Sequence, residues 1–155
     1  MQKAYELGQK AEDELVKAHI SAKLAWDKGA TEAEMKEALQ LIRKSQWRWD
    51  YALASHGMPF HAPQECCRLL GNSFAMAAQA NAVITRVLAK HGYTEPVPMP
   101  DISTKAKAQA YIGLDMKDKV AKKKQFLDTI VPKWWEKAKK EGKFHDDAYQ
   151  PFTKL

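Results

Sequence analysis

The chain has 155 residues, 45% hydrophobic and 28% charged, with a formal charge of +6. That length fits one domain able to bury a core, and no apolar run approaches the roughly 18 residues a membrane span needs. Charge is nearly balanced through residue 100, and the lysine excess falls in residues 101–155. Without clustered Arg or a regular basic–aromatic pattern, that excess reads as a solvated helix face rather than a nucleic-acid reader.

No apolar block follows Lys3 or Lys10, so no export signal is expected. Residues 3–27 read as one amphipathic helix. Leu15, His19, Ala22 and Trp26 recur at steps of four, three and four, which predicts one buried face. His19 on that face reads as a packed or hydrogen-bonded histidine. Gly29 supplies the stop. Thr31-Glu32-Ala33-Glu34 then matches a capping box. Met35, Leu39, Ile42, Trp49 and Leu53 follow at helical spacing to about Ser55. Gly57 and Pro59 are expected to end that helix.

Pro63 sits where a first helical turn starts, and the third helix is predicted from there to about Lys90. Leu69, Leu70, Phe74, Ala77, Ala78, Val83, Ile84, Val87 and Leu88 give it a broad apolar stripe, and its many alanines permit close helix approach. His91-Gly92 ends it. Pro96, Pro98 and Pro100 form a stiff connector. Asp101, Ser103 and Thr104 offer N-caps for a last helical region. Asp115 is placed to restart it after Gly113, and Pro132 implies a kink or a fresh first turn. Val120, Leu127, Ile130, Val131, Trp134, Trp135 and Ala138 can supply its apolar face.

No run of alternating β-branched residues occurs, so the fold class is all-α: long helices joined by short turns in antiparallel packing. The organisation expected is one helical region over 1–155. It comprises a three-helix part over 1–92, a Pro-rich connector over 93–104, Lys-rich terminal helices over 105–141 and a loose polar tail over 142–155.

The stretch from Gln46 to Pro63 concentrates the chemistry: Trp47, Trp49, Tyr51, His56 and His61 lie in a helix end and the turn behind it. Large aromatic surface beside imidazoles suits the wall of a flat, metal-bearing ligand such as haem. The same residues also suit a helix–turn–helix corner whose aromatics fill a core and whose histidines are hydrogen-bonded. His56 and His61, five apart, could hold a metal or a non-covalent haem together, although the spacing matches no standard motif. Cys66 and Cys67 are adjacent, and no Cys-x-x-Cys-His is present. Covalent haem attachment by the usual pair of thioethers is therefore not expected of this chain.

Several blocks together resemble the C-terminal helical part of ammonia-forming cytochrome c nitrite reductase. They are Ala18-His19-Ile20, Trp26, Gly29-Ala30-Thr31, Gln46-Trp47-Arg48-Trp49-Asp50-Tyr51, Ala54-Ser55-His56-Gly57, Phe60-His61-Ala62-Pro63, residues 97–105 and Ile112-Gly113-Leu114-Asp115. The resemblance implies a periplasmic, homodimeric, multihaem oxidoreductase carrying haem c and a calcium site, supplied by an electron-donor cytochrome. It implies an axial haem ligand at His56, with His61 as second choice, and Trp47 and Trp49 shaping the site. The family's haem-attachment motifs, catalytic residues and calcium site have no counterpart here. The expectation is a segment that is not catalytic alone and that works against a haem-bearing N-terminal portion of the same enzyme. The alternative is a free-standing helical interaction module without redox activity.

Overall fold

The computed structural model describes residues 2–143. Among these are seven helices and no strand: α1 (Gln2–Asp27), α2 (Glu32–Ala54), α3 (Met58–His61), α4 (Pro63–Lys90), α5 (Lys105–Tyr111), α6 (Met116–Thr129) and α7 (Val131–Lys140). The all-α class read from the sequence is the class observed. Contacts divide the chain into one unit up to Met99 and a second from Pro100.

In the first unit α4 packs against both α1 and α2. α1 buries Ala4, Gly8, Ala11, Leu15, Ala18, Ala22 and Ala25, in alternating steps of four and three. α2 buries Met35, Ala38, Ile42, Ser45 and Ala52. On α4 the buried positions Cys66, Ser73, Ala80 and Val87 recur every seventh residue, as do Leu70, Ala77 and Ile84. This is the repeat of a helix seam that stays in register with its neighbour over many turns. Contacts pair residue 34 with 91 and 45 with 73, so α2 and α4 run antiparallel. Residue 14 meets 81, and Gly8 lies beside Leu70, so α1 and α4 run parallel.

The predicted face of α1 is corrected at two of its four positions. Leu15 and Ala22 are buried, but His19 is exposed and Trp26 is 41% exposed. The true face is one of methyl-sized side chains, which let the helix backbones approach, and an indole at that contact would hold them apart. Leu39, Leu53 and Phe74, expected on buried stripes, are likewise exposed.

The Thr31 capping box forms as read: the Glu34 amide donates to Thr31 Oγ1 at 3.4 Å and the Thr31 amide to Glu34 Oε2 at 2.8 Å. Across the seam, Ser45 and Ser73 bond reciprocally. Asn81 Nδ2 donates to the carbonyl and the carboxylate of Glu14 at 3.1 and 2.7 Å.

In the second unit Thr104 caps α5, Asp115 caps α6, and Pro132 lies in the first turn of α7. None of these three helices has a buried residue. Of their expected apolar face, Leu127, Ile130, Val131, Trp135 and Ala138 are partly buried and Val120 and Trp134 exposed, Trp134 meeting the exposed Phe126 edge to face at 5.4 Å. The expectation of a loose tail falls mostly on residues 144–155, outside the described residues.

Candidate functional site

The corner between α2 and α4 is built from short-range bonds. α2 stops at Ala54 with Ser55 as its C-cap, whose amide donates to the Tyr51 carbonyl. The sequence reading ended the helix here and foresaw no further element before Pro63. A single helical turn, α3, occupies the gap instead. Pro59 is the second residue of that turn, where its missing N–H and fixed φ cost nothing. The amides of Phe60 and His61 both donate to the Gly57 carbonyl, at 3.1 and 3.0 Å. His61 is therefore the last residue of α3, with Pro63 starting α4 two residues on.

Four of the five histidines are described, and they divide into two pairs. His19 Nε2 lies 3.4 Å from Gln46 Oε1. His91 Nε2 lies 3.1 Å from Glu34 Oε2. Among the described residues, the ring nitrogens of His56 and His61 have no hydrogen-bond partner, and both side chains are exposed. His61 makes one ring contact, a tilted one with Phe60 at 6.4 Å. Phe60 is itself 71% exposed, a residue the sequence reading did not single out. Its sequence signals were its place beside His61 in a proline-bounded turn and in one of the blocks that carried the resemblance.

The two tryptophans expected at the site play different parts. Trp49 is half-buried and donates its indole N–H to the Gly8 carbonyl at 3.2 Å. With Met58 and Cys67 it packs on the cluster of Ala4, Ala52, Cys66, Leu69 and Leu70, so it anchors α2 to α1 directly behind the corner. Trp47 is 60% exposed and stacks on Tyr51, rings 5.4 Å apart and nearly parallel, on the open face of α2. The corner thus joins His56, His61 and Phe60, while Trp47 and Tyr51 form a separate aromatic surface on the helix leading into it.

No group of three or more His, Cys, Asp or Glu able to enclose a metal ion exists among the described residues. What the corner can offer is an imidazole lone pair, the single protein donor that an axial position of a haem iron takes. Unengaged imidazoles beside exposed aromatic surface fit that group. Cys66 is buried, and burial together with neighbouring Cys67 pushes its thiol up from the ordinary range. No described helix is long and apolar enough to cross a membrane.

Comparison with known proteins adds the family. The family model described as cytochrome c552 matches residues 1–145. The chain is similar to cytochrome c-552 of Bacteroides thetaiotaomicron, 62% identical over 141 residues, which is 91% of this chain and 29% of that protein. It is similar to cytochrome c-552 of Bacteroides fragilis, 60% identical over 91% of this chain and 29% of the relative. Cytochrome c-552 of Porphyromonas gingivalis is 59% identical over 90% of this chain and 28% of its own length. The chain thus spans less than a third of the length of the curated relatives it matches.

These matches correct the expectation drawn from resemblance. Family and relatives carry the description cytochrome c552, not nitrite reductase, and nothing in them supports a nitrite reductase fragment, a homodimer or an interaction module without haem. The physical reason is visible in the fold: the blocks that carried the resemblance build caps, turns and seams, which specify a scaffold and leave the reaction open. The cofactor expectation changes with it. Haem c belongs to a cytochrome c family as such, and the exclusion of any covalent attachment is withdrawn. Both Cys66 and Cys67 are free thiols, and a thioether needs only one, although adjacent cysteines do not form the usual Cys-x-x-Cys-His pattern. From residue 1 to residue 145, this chain belongs to the cytochrome c552 family.

Proposed function

We propose that the chain works in haem-based electron transfer, with the α2–α3 corner presenting an axial imidazole to a haem iron. One observation carries this reading: His19 and His91 are engaged by side-chain partners, whereas His56 and His61 have none among the described residues. A neutral imidazole gives iron the lone pair of one ring nitrogen; in His19 and His91 the nitrogen at the ring's tip, Nε2, is the one engaged, whereas in the corner pair it is open. Haem c, when bound, supplies the one-electron chemistry through its iron.

The chain's own residues supply direction and surroundings. α3 holds His61 at the end of a helical turn, and Trp49 ties the end of α2 to α1 through the Gly8 carbonyl. Phe60 offers an exposed apolar ring beside the imidazole, the kind of surface on which a flat macrocycle is desolvated. A periplasmic location is part of the same proposal, as befits a c-type cytochrome, and cell fractionation would test it.

The test is spectroscopic. Protein loaded with haem is expected to show a six-coordinate, low-spin spectrum. The double variant His56→Ala/His61→Ala should lose it, and His19→Gln/His91→Gln should keep it. A low-spin spectrum that survives the corner double variant would end the proposal.

A further inference from the structure

The second unit folds without a core of its own: none of α5, α6 and α7 has a buried residue. α7 nonetheless has two distinct faces. Val131, Trp134, Trp135 and Ala138 share one of them, and Lys133, Lys137 and Lys140 share the opposite one, each set at helical spacing. α6 packs on α7, and Val131, Trp135 and Ala138 are partly buried. Trp134 is left 61% exposed, with the exposed ring of Phe126 against it. On α6, Lys119, Lys123 and Phe126 follow at steps of four and three, and all three are exposed, so lysines line the same face as the ring.

The charge around these rings is predominantly of one sign. Residues 100–143 hold 12 lysines against 6 carboxylates. Asp101, Asp118, Asp128 and Glu141 each pair with a lysine of the same unit, at 2.5 to 3.9 Å. Asp115 accepts from two backbone amides of α6. Lys117, Lys119, Lys123, Lys133 and Lys140 pair with no carboxylate among the described residues.

Two aromatic rings among lysines are too small a centre for a stable protein interface, which takes roughly 800 Å² from each partner around a desolvated core. They suit the headgroup layer of an anionic membrane, where indole rings settle between apolar and wet surroundings and lysines meet lipid phosphate. A helix lying along that surface needs no spanning length, and no described helix has one.

We propose that α6 and α7 form a docking patch for an anionic phospholipid surface. Phe126 and Trp134 enter the headgroup layer, and Lys119 and Lys123 meet lipid phosphates beside them. The remaining unpaired lysines add attraction over a screening length of roughly 10 Å. The patch is independent of haem binding.

Sedimentation of the full chain with vesicles tests this. Vesicles of phosphatidylcholine containing a third phosphatidylglycerol should carry the chain down at low salt. Pure phosphatidylcholine, or the anionic vesicles at high salt, should hold it about tenfold more weakly. Trp134→Ala should lose about fivefold and Lys119→Gln/Lys123→Gln about tenfold, with helix content unchanged by circular dichroism. Tyr5→Ala, which removes an exposed ring of the first unit, should bind like wild type. Equal binding to neutral vesicles, wild-type binding by Trp134→Ala, or an equal loss in Tyr5→Ala overturns the proposal. If this face instead meets polypeptide, vesicles of either composition leave the chain in the supernatant, and the proposal fails outright.

Discussion

Ser45 and Ser73 exchange hydrogen bonds across the contact between α2 and α4. Ser45 Oγ donates to the Ser73 carbonyl at 2.8 Å and Ser73 Oγ to the Ser45 carbonyl at 2.9 Å, with both residues fully buried. Each hydroxyl is small enough for the seam and supplies its own partner, so neither is stranded in the core. Replacing Ser73 by Ala removes one of the two bonds and is expected to cost about 1 kcal/mol in urea unfolding. The Ser45→Ala/Ser73→Ala double variant should deviate from the sum of the single costs, because the hydroxyls touch at 3.0 Å. Strict additivity would show that they act independently.

Glu34 binds three donors: the Thr31 amide, the Thr31 hydroxyl and His91. The Thr31 bonds, then His91, hold its carboxyl down from 4.5 to about 2. A carboxyl depressed in the folded state contributes stability that is fully present above pH 4.5 and is lost as pH falls toward 2. Glu34→Gln should therefore unfold at lower urea than wild type at pH 6, and the gap should close between pH 4.5 and 2. A gap that stays constant through that window would remove the ionised carboxylate from the explanation.

The adjacent thiols are expected to react on different timescales. Cys66 is 1% exposed with its ionisation pushed up, whereas Cys67 is half-buried. A disulfide reagent at neutral pH should label one thiol readily and the second only as the fold opens. Cys67→Ser should abolish the early phase. Two equal rapid phases in wild type would contradict the burial of Cys66.

Two glycine-to-alanine changes should behave differently. Gly29 has φ +90° and nothing within 4 Å of a built Cβ, so Gly29→Ala pays backbone strain alone, about 1 kcal/mol or more. Gly57→Ala pays no such strain and gains from a less flexible unfolded chain, set against displacing the His61 ring. Thermal melts should show the first variant clearly destabilised and the second within about 1 kcal/mol of wild type.

The capping box at Thr31 and the end of α4 at His91-Gly92 were readable because both rest on local chemistry within four residues. The buried face of α1 was not. Alanine and glycine carry little hydrophobic signal, so the eye follows Trp26 and His19, yet closeness of backbones rather than side-chain bulk decides that contact. At the corner, the residue types were legible and their circumstances were not. That His19 finds Gln46 and His91 finds Glu34 depends on helices 27 and 57 residues apart in sequence. The right-handed backbone of Gly57 was hidden because its position suggested a left-handed stop, and only the dihedral angle shows otherwise.

The alternating four-and-three seam of α1 has a further consequence. Methyl groups repeated every seven residues look alike to a neighbouring helix, so sliding by one repeat, about 10 Å, would preserve much of the packing. What tells one alignment from the next is a handful of polar pegs: Trp49 on the Gly8 carbonyl and His19 on Gln46 for α1 against α2, and Asn81 on Glu14 for α1 against α4. Affinity between these helices is thus spread along their length, while their alignment is decided at three points.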